Sequence, residues 1–174
     1  MPTTTAQLLR RATASTFEDL AFLFLEPECS EEQAAAPLDA AVSVDFHGPV
    51  RGRLTVRVSS TLMPTIAANM LGEEQARHVP LQRDALGEVA NVVCGNALPL
   101  IAGADAVFRL DAPRWIADEP RARDGDAPAA CVSGGVDAGR AEVELFLFGT
   151  PEQIDALRTS GADHVSAAPA GSIF

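Results

Sequence analysis

Residues 40–60 read AAVSVDFHGPVRGRLTVRVSS, with apolar side chains on every second position. Val42, Val44 and Phe46 alternate with Ser43, Asp45 and His47, and beyond Gly48-Pro49 Leu54, Val56 and Val58 alternate with Arg53, Thr55 and Arg57. Successive side chains of a strand point to opposite faces, so this rhythm predicts an antiparallel hairpin with one wet face. AACVSGGVD and AEVELFLF, joined by the turn DAGR, predict a second hairpin, and ADAVFRLDAP (104–113) a further strand.

Elsewhere the apolar period lengthens. Leu8, Leu9, Ala12, Phe17, Leu20, Ala21 and Phe24 predict a helix over 5–28 that Pro27 stops, followed at 28–38 by a polar loop or a frayed extension. TLMPTIAANMLG (61–72) reads as a short helix ending at Gly72, and EEQARHVPLQR as a connector. A helix then opens at Asp84. Pro99 opposes the carbonyl of Gly95, four residues back, which predicts a kink or an end there. The charged, breaker-rich stretch 114–128 reads as a surface loop. Thr150, Pro151 and Gln153 supply an N-cap, a first-turn proline and a capping box for a closing helix. Residues 1–160 are expected to form a single domain and 161–174 a disordered tail. Helices and hairpins in separate runs predict an α+β fold, a largely antiparallel sheet with long helices packed on it.

Composition narrows the function. The 174 residues carry a net charge of −11, which argues against nucleic acid and against an anionic membrane surface. All thirteen basic residues are Arg; without Lys there is neither Schiff-base chemistry nor a P-loop. Cys29, Cys94 and Cys131 form no CxxC, and His47, His78 and His164 no ligand cluster, so no metal site is expected and the thiols read as reduced. DLAFLFLEP holds only six apolar residues between Asp19 and Glu26, against the roughly 20 of a membrane span. With no signal peptide either, a soluble, cytoplasmic protein is expected.

The chemistry concentrates in DALGEVANVVCGNAL, residues 84–98. At roughly 100° per residue, Asp84, Glu88, Asn91 and Gly95 fall within about 60° on a helical wheel. Leu86, Val89, Ala90, Val93 and Ala97 occupy the opposite arc. Such a stripe reads either as a solvated face or as a site. Gly95 leans toward the second, since a glycine inside a helix costs about 1 kcal/mol against alanine and suits close approach by another backbone or a packing contact. A carboxylate and a carboxamide at i and i+3 project side by side. The amide is no base at neutral pH, but it holds a water in a chosen direction. Phosphoryl transfer to water asks for little more once a metal neutralises the phosphate. Asp84 reads as a helix N-terminal residue favoured by the dipole, or as a supporting contact. Cys94 reads as a small buried hydrophobe rather than a nucleophile, Asn96 as structural, and Glu73-Glu74 as a solvated charge pair. Trp115 reads equally as an interface residue or a core edge.

DALGEVANVVCGNAL resembles the E-x-x-N helix of the CheC/CheX/FliY family of chemotaxis phosphatases, nearest to CheX. GPVRGRLTVRVSSTLMPTIAANMLGEE resembles that family's glycine-led strand, short helix and Met-Leu-Gly ending, and FEDLAFLF its first helix. The likeness covers roughly residues 15–111. It implies hydrolysis of the acyl phosphate on a phosphorylated, CheY-like response-regulator receiver. Asn91 would orient the attacking water, Glu88 would pair with the receiver's lysine, and Asp84 and Gly95 would lie in the docking face. Mg2+ would arrive with the receiver, so no cofactor of the chain's own is implied. Some members carry a second E-x-x-N on the first helix; here Glu18 is followed by Ala21 where the amide would sit, which leaves one site. The same resemblance allows a non-catalytic receiver-binding or switch-complex adaptor, and it implies a homodimer.

Overall fold

The structure is a computed structural model that describes residues 3–121 and 127–166, the last five by backbone alone. Both hairpins form. β1 (Ala40–His47) pairs antiparallel with β2 (Arg51–Val58), Val42 opposite Val56 and Val44 opposite Leu54. β5 (Ala130–Val136) pairs with β6 (Gly139–Phe148), Val132 opposite Val143. β2 and β6 then join the hairpins, Leu54 opposite Leu145, and with β3 (Arg109–Leu110) and β4 (Arg114–Trp115) both on β1 the six-stranded antiparallel sheet runs β3-β1-β2-β6-β5.

The predicted strand 104–113 contracts to β3 (Arg109–Leu110), opposite Phe46 and His47, and Phe108 packs edge-on against Phe46 at 5.7 Å. The predicted loop 114–128 contains a strand instead. β4 (Arg114–Trp115) places Trp115 opposite Val42 and Arg114 opposite Ser43, and the Ile116 N–H donates to the Ala41 carbonyl at 2.9 Å. Residues 122–126 of that loop lie outside the described residues. This segment also corrects the expected wet face: Ser43, Thr55 and Arg57 are buried, because the chain from Arg114 to Pro120 crosses over them.

The other face carries the helices. α1 (Thr5–Ala21) ends well before Pro27, because Phe22 adopts the left-handed conformation (φ 52°). Its N–H donates to the Glu18 carbonyl, the bond of an αL closure built here without glycine, and the Leu23 N–H reaches back to the Phe17 carbonyl. The expected polar loop at 28–38 holds a short helix, α2 (Glu31–Ala35), where Ser30 and Gln33 cap each other. A 3-10 turn, Ser60–Leu62, leads into α3 (Met63–Leu71), and Gly72 (φ 107°) stops it as expected.

α4 (Val79–Ala102) starts five residues before Asp84, with Pro80 in its first turn, and it runs through Pro99 to close on Gly103. Pro99 is exposed, so the Gly95 carbonyl it leaves without a donor is also on the wet side, while buried Leu98, Ile101 and Ala102 hold the last turn in the core. By length and composition α4 is apolar enough to cross a bilayer, but most of it is buried. It packs on α1, α3, β1 and β2, its Leu86, Val89 and Val93 meeting the core that Val44, Leu54 and Val56 share. Each such buried aliphatic contributes about 1.5–3 kcal/mol.

α5 (Pro151–Ser166) begins at the predicted Thr150 cap and continues through Gly161, six residues into the expected tail. Gly161 is a crossing point rather than a stop: a Cβ there would lie 2.0 Å from the Ile101 carbonyl oxygen on α4. Residues 167–174 of the expected tail lie outside the described residues.

Candidate functional site

The greasy arc of α4 goes inward: Leu86, Val89, Ala90, Val93 and Ala97 are each 0% exposed. The polar stripe therefore faces out. Asp84, Glu88 and Gly95 are exposed and Asn91 is half-buried. Asp84 stands in the second turn rather than at the helix N-terminus, so the dipole is not what places it there.

α4 forms one wall of an open groove of about 700 Å³, and Pro113 and Trp115 form the other. Pairing with β1 fixes Trp115 on the helix side of the sheet, and the Arg83 guanidinium stacks over its ring at 4.4 Å. Gly87 brings the two walls together; a Cβ there would sit 3.1 Å from the Pro113 ring. At Gly95 a Cβ would meet nothing within 4 Å, so the far end of the stripe is clear.

The groove leaves polar groups unsatisfied. Among the described residues, neither Asp84 nor Glu88 has a hydrogen-bond or ion-pair partner. The Asn91 Oδ1 and the Trp115 Nε1 are shut from solvent with no hydrogen-bond partner. A buried, unpaired acceptor costs about 1–3 kcal/mol, so Asn91 serves the fold poorly where it stands. A half-turn about its χ2 exchanges oxygen and NH2, and either end can meet a water.

Other candidates fall away from the groove. Burial pushes the Cys94 thiol up to about 12, and the residue is 0% exposed, which makes it a core side chain. Asn96 donates to the Thr16 hydroxyl at 3.2 Å and ties α4 to α1. On α1 Glu18 is exposed but Ala21 is fully buried, and its carbonyl accepts from Asn69 at 2.6 Å. Among the described residues no three His, Cys, Asp or Glu side chains gather as a metal site would require. Arg83, Gly87 and Pro113 were missed by sequence reasoning. Gly87 carried a signal, a second glycine inside the helix next to Glu88; the other two are recognisable only once the chain has folded back onto α4.

An antiparallel sheet backed by a helix that turns E-x-x-N toward solvent places the chain among the CheC/CheX/FliY folds. The family model described as chemotaxis phosphatase CheX matches residues 40–133, and the chain belongs to that family. A chemotaxis protein CheX from Desulfovibrio desulfuricans is similar in structure, with TM-score 0.65 and 20% identity over 83% of this chain and 99% of that one. A CheX-CheY-BeF3-Mg+2 complex from Borrelia burgdorferi contains a chain with TM-score 0.60 and 16% identity, over 84% and 99%. FliY from Thermotoga maritima gives 0.53 and 12%, over 91% and 94%. These likenesses share the fold. No curated protein matches the chain by sequence.

Proposed function

We propose that this chain is a phosphatase for the phospho-aspartate of a CheY-like response-regulator receiver. Asn91 orients the attacking water and Glu88 pairs with the receiver's lysine. The observation that carries this reading is that exposed Glu88 and half-buried Asn91, on adjacent turns of α4, line one open groove with Gly95 clear beyond them. Membership of the CheX family and the Borrelia burgdorferi complex of CheX with CheY support the class of partner.

In this reading the receiver docks its phosphorylated pocket over the stripe. The Asn91 amide hydrogen-bonds the water and aims a lone pair at phosphorus. The new P–O bond forms as the acyl P–O bond breaks, the receiver's aspartate leaves as carboxylate, and the water's proton passes to phosphate or solvent. Asn91 contributes direction and not basicity. Mg2+ that neutralises the phosphoryl oxygens belongs to the receiver. Asp84, one turn before Glu88, adds negative charge toward a cationic partner, and Gly95 admits the partner's backbone.

Phosphate release from acyl-phosphate-charged receivers tests the reading. Acceleration by the wild type that Asn91→Ala loses supports it, and equal acceleration by both overturns it. Binding without acceleration identifies a receiver-docking adaptor instead.

A further inference from the structure

On the sheet face away from the helices, Arg57 is only 7% exposed, and among the described residues its Nε has no hydrogen-bond partner. Beside it lies a cavity of about 90 Å³ whose walls include Thr55, Arg114, Ile116, Glu144 and Phe146. At roughly 30 Å³ per water that is room for about three waters or one small oxyanion.

Two nearby acids are engaged elsewhere: Asp45 holds Arg53 at 2.6 Å and Glu119 pairs with Arg114. Glu142, opposite Arg57 in the β2–β6 register, lies 3.2 Å from Arg121, and its buried Oε1 makes no hydrogen bond among the described residues. Glu144 accepts from Thr55 at 3.3 Å. Burial above all, and then the nearby Arg121, pull the Arg57 pKa below its ordinary value, against the raising effect of Glu144 and Glu142. Negative charge placed against Arg57 relieves that penalty.

We infer that this cavity binds a small monocarboxylate of acetate or propionate size through the Arg57 guanidinium. A carboxylate offers the planar pair of acceptors a guanidinium takes best. Its alkyl end meets Ile116 and Phe146. Glu142 and Glu144 set the limit on charge, because a polyanion would be repelled where a single negative charge is tolerated. The inference is independent of the phosphatase reading, which uses the opposite face of the sheet.

Acetate titration at constant ionic strength, with chloride as the balancing salt, tests it in the full chain. The Arg57 Nε–Hε NMR resonance should shift saturably in the millimolar range, and acetate should raise the melting temperature. Arg57→Gln should abolish that rise. A linear drift, an equal response to chloride, or tighter binding of inorganic phosphate than of acetate overturns the assignment. The wild-type resonance decides the matter even if Arg57→Gln does not fold.

Discussion

Gly87 and Pro113 touch across the groove: a methyl group on Gly87 would stand 3.1 Å from the proline Cβ, closer than relaxed packing allows. Gly95, two turns along the same helix, has nothing within 4 Å of that position. Alanine gains about 0.5–1 kcal/mol over glycine in a helix interior. Gly95→Ala should therefore stabilise the protein by about that amount. Gly87→Ala gains the same propensity but must displace Pro113, and overpacking costs about 1–3 kcal/mol. Urea melts should place Gly95→Ala above wild type and Gly87→Ala at or below it. If docking needs the clearance at Gly95, Gly95→Ala should also raise the KM for the charged receiver while leaving kcat in place.

Asn91 separates function from stability. Its Oδ1 is buried without a partner, so truncation removes a penalty rather than a bond. Asn91→Ala should leave stability unchanged or raise it by about 1 kcal/mol in a denaturant melt. The same variant should slow receiver dephosphorylation by about 10²-fold or more, as removal of one transition-state-directed donor does. Loss of stability and rate together would assign Asn91 to the fold.

What the sequence could reveal followed the range of the interactions. The E-x-x-N stripe and both hairpins were legible because a period of 3.6 or 2 is local, and Leu86 or Val56 has only to repeat in step with its neighbours. The end of α1 was not: Phe22 takes a left-handed conformation that composition assigns to glycine. β4 was invisible for another reason, since two residues carry no period and Arg114–Trp115 become a strand only by lying along β1. The same segment buries Arg57 and completes the groove with Trp115, so half of the candidate site was hidden with it. Pro99 gave a local signal that long-range packing of Ile101 and Ala102 overrode.

Glu88 is exposed and has no partner among the described residues, so nothing in the fold depends on its charge. Glu88→Ala should keep the melting temperature, within about 0.5 kcal/mol. Its effect should fall on receiver binding, as a weaker affinity and a shallower dependence on salt. Unchanged affinity in a titration would remove Glu88 from the docking face.

Cys94 gives the protein an alkaline weakness with a defined sign. Burial raises its thiol from 9.0 to about 12, so the folded chain holds this proton more tightly than the unfolded chain does. Below about pH 9 both states are protonated and the full stability is present. As pH rises from about 9 toward 12, the unfolded state ionises first, and stability falls by up to about 1.4 kcal/mol per pH unit. Cys94→Ala removes this proton and leaves a small cavity, costing about 1 kcal/mol at neutral pH. Denaturant melts should therefore favour the wild type by about 1 kcal/mol near pH 7, meet between about pH 9 and 10, and cross, Cys94→Ala being the more stable toward pH 12. Parallel curves would mean that Cys94 is not sealed in the core, and its alkylation in the native state at pH 8 would then proceed without unfolding.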